Sequence, residues 1–144
     1  MKANERALAV VILAAGQGKR MKSGLVKVLH ELCGRPMLAY PIESAEALAP
    51  ERLVVVVGRD SERVCEAFSG RATFVEQTER RGTGHAMMTT RAALDGFRGD
   101  VLILYGDTPL LRAETIERMR AEKIARGVDL LILSALEPLP GRIV

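Results

Sequence analysis

Apolar and polar positions along the chain fall into two alternating kinds of segment. Short apolar, largely β-branched runs at Leu8–Ala14, Leu53–Val57, Thr73–Gln77, Val101–Tyr105 and Leu130–Ala135 read as strands. Near-continuous hydrophobicity in most of them predicts burial on both faces, as in a parallel sheet. Amphipathic stretches between them predict helices at about Leu38–Leu48, Ser61–Phe68, Gly84–Phe97 and Ala113–Arg126. Pro41 fits the first turn of the first helix, where a missing N–H costs little, and Gly127 suits the position that ends the last one.

The resulting order β-α-β-α-β-α-β-α-β predicts an α/β fold: a Rossmann-like, doubly wound, mostly parallel sheet with right-handed crossovers. Ligands of such sheets bind beyond the carboxyl ends of the strands. Gly16 to Arg20 follow the first strand, Gln77 to Thr83 the third, and Gly106-Asp107 the fourth, so three chemically unusual segments are expected at one edge. With no internal repeat or low-complexity linker, residues 1–144 are expected to form one domain, with no second domain.

Composition narrows the classes of function. Of 144 residues, 48% are hydrophobic and 27% charged, and the longest apolar runs fall well short of the roughly 20 residues a membrane span needs. Without a visible signal peptide, the expectation is a cytoplasmic protein with no membrane partner. The net charge of +3 arises from 21 basic and 18 acidic residues scattered along the chain, and only 3% of residues are aromatic. That argues against nucleic acid, which calls for basic patches and stacking platforms. Cys33 and Cys65 match neither a zinc nor a redox spacing and are expected to be buried thiols.

Directly behind the first strand lies Leu13-Ala-Ala-Gly-Gln-Gly-Lys-Arg-Met21. A glycine-rich loop between strand and helix turns backbone N–H groups toward an anion. The Walker pattern fails here, because Gly18-Lys19 is followed by Arg20 and Leu13 stands where its first glycine belongs. The dinucleotide fingerprint fails as well, since it requires glycine at Met21.

The loop does fit the nucleotidyltransferase signature. Together with Lys27-Val-Leu-His30, Gly34-Arg-Pro-Met37, Gln77-Thr-Glu-Arg-Arg-Gly-Thr-Gly-His-Ala86 and Leu104-Tyr-Gly-Asp-Thr-Pro-Leu-Leu111, it closely resembles the uridylyltransferase domain of the bacterial bifunctional N-acetylglucosamine-1-phosphate uridylyltransferase/glucosamine-1-phosphate acetyltransferase family. The resemblance covers essentially the whole chain. It implies a sheet of the nucleotide-diphospho-sugar transferase type, a MobA-like or sugar nucleotidyltransferase domain, and transfer of UMP from UTP to N-acetylglucosamine-1-phosphate with release of pyrophosphate. Mg²⁺ is the implied cofactor, and UDP-N-acetylglucosamine for cell-wall peptidoglycan is the implied product.

Roles follow residue by residue from the same resemblance. Loop amides of Ala15 to Gly18 with Arg20 would hold the triphosphate and the departing pyrophosphate, and Lys27 would neutralise the α-phosphate; Arg20 and Lys27 are the two catalytic candidates. The plain alternative for each is a solvated surface charge. Ala14, Ala15, Gln77 and Gly82 would form the base pocket, where the Gln77 amide matches the uracil edge, and Thr83 would lie beside it. Leu13, Gly16, Gly18, Tyr105, Gly106 and Gly141 complete the implied nucleotide and sugar-nucleotide contacts. Asp107 is the implied metal ligand; its alternative is to cap the turn before Pro109. His85 is expected to support the site rather than act as a base, His30 to face the core and be hydrogen-bonded, and Met87 and Met88 to be core residues.

The sequence departs from the family pattern at Lys19, Val26 and Leu139-Pro-Gly141. Full domains of the look-alike family continue past the position of Val144 with further sugar contacts and a second metal ligand. The fold is therefore expected to be incomplete at its C-terminus, and this chain to bind UTP with little or no turnover. In such relatives a later domain builds the homo-oligomer. The alternatives are a nucleotidyltransferase for another sugar or base, or a catalytically silent nucleotide-binding module.

Overall fold

A computed structural model describes residues 6–16, 18, 21–59, 61–79 and 81–134. Four parallel strands, β1 (Leu8–Leu13), β4 (Arg52–Val57), β5 (Thr73–Glu76) and β6 (Asp100–Tyr105), lie in the order β5-β4-β1-β6. The chain thus winds outward from β1 through β4 to β5 and then returns to the other side of β1. Val10 pairs with both Leu53 and Leu102 in this register. This reversal of strand order beside β1 creates the crevice in which doubly wound sheets bind ligands.

Helices α1 (Ala39–Glu46), α2 (Glu62–Ala67) and α4 (Ala113–Arg126) carry residues into the main core on one face. There Ile42, Val64 and Ile116 meet Val10, Ile12, Val55 and Leu104, all nearly inaccessible to solvent. Full burial of side chains of this size stabilises by about 1.5–3 kcal/mol each. Helix α3 (Thr83–Thr89) packs Ala86 on the opposite face against Val11, Val54 and Val56. Strands β1 and β4 are therefore buried on both faces, as their continuous apolar runs predict. Pro41 sits in the first turn of α1, and Gly127, at φ 61°, ends α4 in the left-handed conformation.

Several expectations are corrected. β6 buries Leu104, but Val101, Ile103 and Tyr105 on its other face remain 44–47% exposed, because α3 covers β1 and β4 and not β6. The helix predicted over Gly84–Phe97 stops at Thr89. Thr89 and Thr90 each turn Oγ1 back onto a carbonyl three residues earlier, at 2.7 Å, and the chain continues in tight turns. Residues 130–134 form no strand, and Leu130, Ile132 and Leu133 are exposed; Ala135 lies outside the described residues.

Met88 is 74% exposed rather than in the core. Cys33 is also exposed, at the tip of an unpredicted hairpin of β2 (Glu31–Leu32) and β3 (Arg35–Pro36). Cys33 and Gly34 both have positive φ there, as a two-residue hairpin turn requires. Cys65 is half-buried on α2, and both cysteines are free thiols. His30 bonds through its backbone, while its buried Nε2 has no partner among the described residues.

Candidate functional site

The carboxyl ends of β1, β5 and β6 open into a cleft of about 690 Å³. After Leu13 the chain is still held by the sheet, since the Ala14 amide donates to the Val56 carbonyl at 2.8 Å. It then leaves through Ala15 and Gly16 and turns at Gly18, whose carbonyl accepts from the Met21 amide at 2.8 Å. Gly18 has φ 61°, and a Cβ there would lie 2.7 Å from the Cβ of Lys27. Only glycine lets the loop rest on the lysine stem in this conformation. Lys27 itself opens a short 3₁₀ turn, Lys27–Leu29, anchored by Val28, which is 2% exposed in the main core.

Across the cleft, Gly106 closes onto β1. Its amide donates to the Leu13 carbonyl at 2.9 Å, and a side chain in its place would press against Ala14 and Val28 at 3.1 Å. This close approach sets Asp107 opposite Lys27. Lys27 Nζ donates to Asp107 Oδ2 at 2.6 Å, with both side chains about one-third to two-fifths exposed. The turn before Pro109 is instead bonded by Thr108, whose Oγ1 donates to the Tyr105 carbonyl at 2.9 Å. The carboxylate of Asp107 is thus directed into the cleft rather than used to cap a turn.

At the β5 end, the Gln77 amide N–H continues the ladder to the Val57 carbonyl at 2.7 Å. Its side chain is buried, with Nε2 donating to the Gly82 carbonyl at 3.2 Å and lying 3.1 Å from His85 Nδ1. His85 therefore orients Gln77. With its nitrogen engaged in this way, Gln77 presents its carbonyl oxygen as an acceptor for a donor on a ligand.

Of the residues singled out from sequence, Leu13, Ala14, Ala15, Gly16, Gly18, Lys27, Gln77, Gly82, Thr83, Tyr105 and Asp107 line this one cleft, and Gly106 packs directly behind it. Arg20 and Gly141 lie outside the described residues. Met21, Val28 and Ala86 also line the cleft and were not singled out from sequence. Their apolar side chains carry no chemical signature; only the adjacency of Met21 to the loop and of Val28 to Lys27 hints at a place in the wall.

Among the described residues no cluster of three or more His, Cys, Asp or Glu side chains forms a ready-made metal cage. A lone exposed carboxylate on this described lining fits a divalent cation bound jointly with phosphate oxygens and water.

Residues 10–139 match the family model of the MobA-like NTP transferase domain. The chain belongs to this family. As a MobA-like NTP transferase domain it is a nucleotidyltransferase by family, and close relatives narrow the kinship. It is 50% identical to the bifunctional protein GlmU of Ruegeria sp. (strain TM1040) over 133 residues, which are 90% of this chain and 30% of that protein. To the bifunctional protein GlmU of Paramagnetospirillum magneticum it is 53% identical over 116 residues, 81% of this chain and 26% of the relative. The chain thus spans less than a third of the length of these relatives.

Among solved structures, Rv0371c from Mycobacterium tuberculosis superposes with a TM-score of 0.69 at 20% identity, covering 83% of this chain and 62% of that one. A Methanothermobacter nucleotidyl transferase gives 0.66 at 24% identity, with 80% and 57% covered. These two agree in the α/β nucleotidyltransferase fold. Rv0371c has also been solved in complex with manganese. Among the described residues of this chain, no helix is long and apolar enough to cross a membrane.

Proposed function

We propose that this nucleotidyltransferase domain binds UTP with Mg²⁺ in the cleft and serves transfer of UMP to N-acetylglucosamine-1-phosphate, giving UDP-N-acetylglucosamine and pyrophosphate in the cytoplasm for peptidoglycan precursors. The observation that carries this reading is the pairing of Lys27 with Asp107 at the mouth of a cleft whose walls are the loop after β1 and the buried amide of Gln77. A cation and a carboxylate held together in this way form a binding point for a metal-chelated polyphosphate: the cation turns to phosphate and the carboxylate to metal.

The uracil ring lies against Ala14 and Ala15, with Gln77 Oε1 accepting its N3–H and the Gly82–Thr83 backbone flanking the ring. Confinement between β1 and α3 disfavours a purine. In the transfer step an oxygen of the sugar-1-phosphate bonds to the α-phosphorus while the α–β bridging P–O bond breaks. The electron pair leaves with pyrophosphate. Loop amides and Arg20 bear the leaving charge, and Lys27 neutralises the α-phosphate, so that positioning and electrostatics supply the rate. When bound, Mg²⁺ supplies charge neutralisation and orients phosphate oxygens beside Asp107. Tyr105, backed by Gly106, borders the sugar side, and the family resemblance assigns Gly141 to the same role.

We further propose that these 144 residues correspond to part of a uridylyltransferase domain and by themselves bind UTP with little turnover. With Asp107 as the one carboxylate among the described residues that line the cleft, metal and sugar phosphate are loosely placed, and a misplacement of about 1 Å costs on the order of 100-fold. A pyrophosphate-release assay with UTP, Mg²⁺ and N-acetylglucosamine-1-phosphate tests the reading. Its expected outcome is UTP-dependent release below the few-per-second range usual for enzymes, abolished in Asp107→Asn. Release supported by ATP and not by UTP would overturn the base assignment.

A further inference from the structure

The buried amide of Gln77 is held by partners that decide which way round it sits. Its nitrogen carries two hydrogens and has two neighbours, the Gly82 carbonyl at 3.2 Å and His85 Nδ1 at 3.1 Å. The carbonyl can only accept. It also takes the Ala86 amide at 3.1 Å in the opening turn of α3, and Gly82 reaches this position through a φ of 92°, which favours glycine. An amide turned the other way would set Oε1 against that carbonyl, two acceptors with no proton between them.

His85 completes the arrangement in one form only. To accept from Gln77 Nε2, Nδ1 must carry a lone pair, which places the ring proton on Nε2 of the imidazole. A proton on Nδ1 would set one donor against another. With both hydrogens of the Gln77 nitrogen engaged, Oε1 is the atom left for a ligand in the cleft, which Gln77 lines although it is only 5% exposed. The orientation matters because uracil and cytosine are alike in size and differ at this edge: N3 carries a hydrogen in uracil and a lone pair in cytosine. Confinement between β1 and α3 disfavours a purine but does not separate these two bases.

We propose that His85 is a positioning residue that determines base specificity: in its Nε2–H tautomer it fixes the Gln77 amide with Oε1 toward the base and so selects uracil over cytosine. The proposal rests on the placement of uracil against Gln77 given above. His85 acts through Gln77 and not on the reacting atoms, so its effect falls on the ratio of affinities for the two bases. Without Nδ1 the amide keeps only its bond to Gly82 and turns more readily to offer its nitrogen to the N3 lone pair of cytosine.

Two measurements on the 144-residue chain test this. In the ¹⁵N spectrum of the imidazole at pH 8, where an ordinary imidazole is neutral, His85 should be the Nε2–H tautomer. A proton on Nδ1 would overturn the proposal, and because this is read on the parent chain it decides even if a variant fails to fold. Calorimetry with UMP and CMP then compares the parent with His85→Phe, which keeps a ring and removes the acceptor, and with His85→Asn, whose carbonyl restores an acceptor near the place of Nδ1. The parent should bind UMP about 10-fold or more tightly than CMP. That ratio should fall by about 5-fold or more in His85→Phe and return to within about twofold of the parent in His85→Asn. A ratio unchanged in His85→Phe, or reduced equally in both variants, would overturn the role of His85 and leave the uracil assignment standing. A parent with no preference for UMP would overturn the uracil assignment, and the proposal with it.

Discussion

Gly18 and Lys27 act as one unit, because the loop can take its path only where glycine lies on the lysine stem. Gly18→Ala combines a left-handed backbone, which costs an L-residue roughly 1–2 kcal/mol, with a Cβ 2.7 Å from that of Lys27. Urea unfolding should show the variant destabilised by about that amount, with UTP binding weakened; Gly16→Ala, whose Cβ meets nothing within 4 Å, is the control expected to retain stability. Wild-type stability in Gly18→Ala would contradict the packing described. The 2.6 Å ion pair makes a second claim at this scale. In the absence of nucleotide Lys27 competes with a divalent cation for Asp107, so Lys27→Gln should bind Mn²⁺ alone several-fold more tightly while binding UTP more weakly. Calorimetry with each ligand checks both signs, and a parallel loss of both affinities would show that Lys27 does not hold Asp107 back. Much of this was legible in the sequence because glycines, a lysine and an aspartate carry chemical signatures at strand ends. The internal bonds of Gln77 to Gly82 and His85 were not, since they depend on how β5 and α3 meet.

The elements were read well where one physical signal dominated. α4 spans the predicted residues because its apolar stripe ends at a glycine suited to the left-handed cap, and β1 and β4 follow from runs buried on both sides. The reading failed where local hydrogen bonding overrode periodicity. Thr89 and Thr90 ended α3 about two turns early, and the Cys33-Gly34 turn made a hairpin too short to leave a pattern. Contacts between elements add small, testable increments. Arg71, before β5, makes two hydrogen bonds to Glu46 at the end of α1, at 2.9 and 2.6 Å. Hydrogen bonding to Arg71 lowers the pKa of Glu46 from its ordinary 4.5, against an opposing effect of burial. A depressed carboxylate pKa contributes stability above the unfolded value and loses it as pH falls through the folded one. Glu46→Gln should therefore cost at most about 1 kcal/mol at pH 7, since the pair is a third or more exposed. The difference from the parent should shrink as pH falls through the depressed folded value and vanish once the carboxylate is protonated in both states. Urea denaturation at pH 7 and in acid measures it, and a gap that persists in acid would assign the effect to packing.

At the scale of the molecule the sheet is covered unequally. One face is closed by α1, α2 and α4, while on the other the outer side of β6 presents Val101, Ile103 and Tyr105 at 44–47% exposure, near an end of the sheet with no further partner strand among the described residues. An apolar edge of this kind promotes association. Sedimentation of the 144-residue chain should show concentration-dependent self-association, diminished in Val101→Thr, Ile103→Thr with little change in melting temperature; equal behaviour of both proteins would clear this face of any role. Periodicity alone gave no sign of the exposure, because an apolar strand reads the same whether or not a helix covers it. The central claim is that the cleft at the crossover point selects a uridine nucleotide, and the most direct measurement is thermal unfolding with UTP or ATP, each with Mg²⁺. At about 100 times its Kd, UTP should add roughly 2.7 kcal/mol, or about 8 °C for a domain of this size. ATP at the same concentration should add far less; equal shifts from both nucleotides would contradict the account.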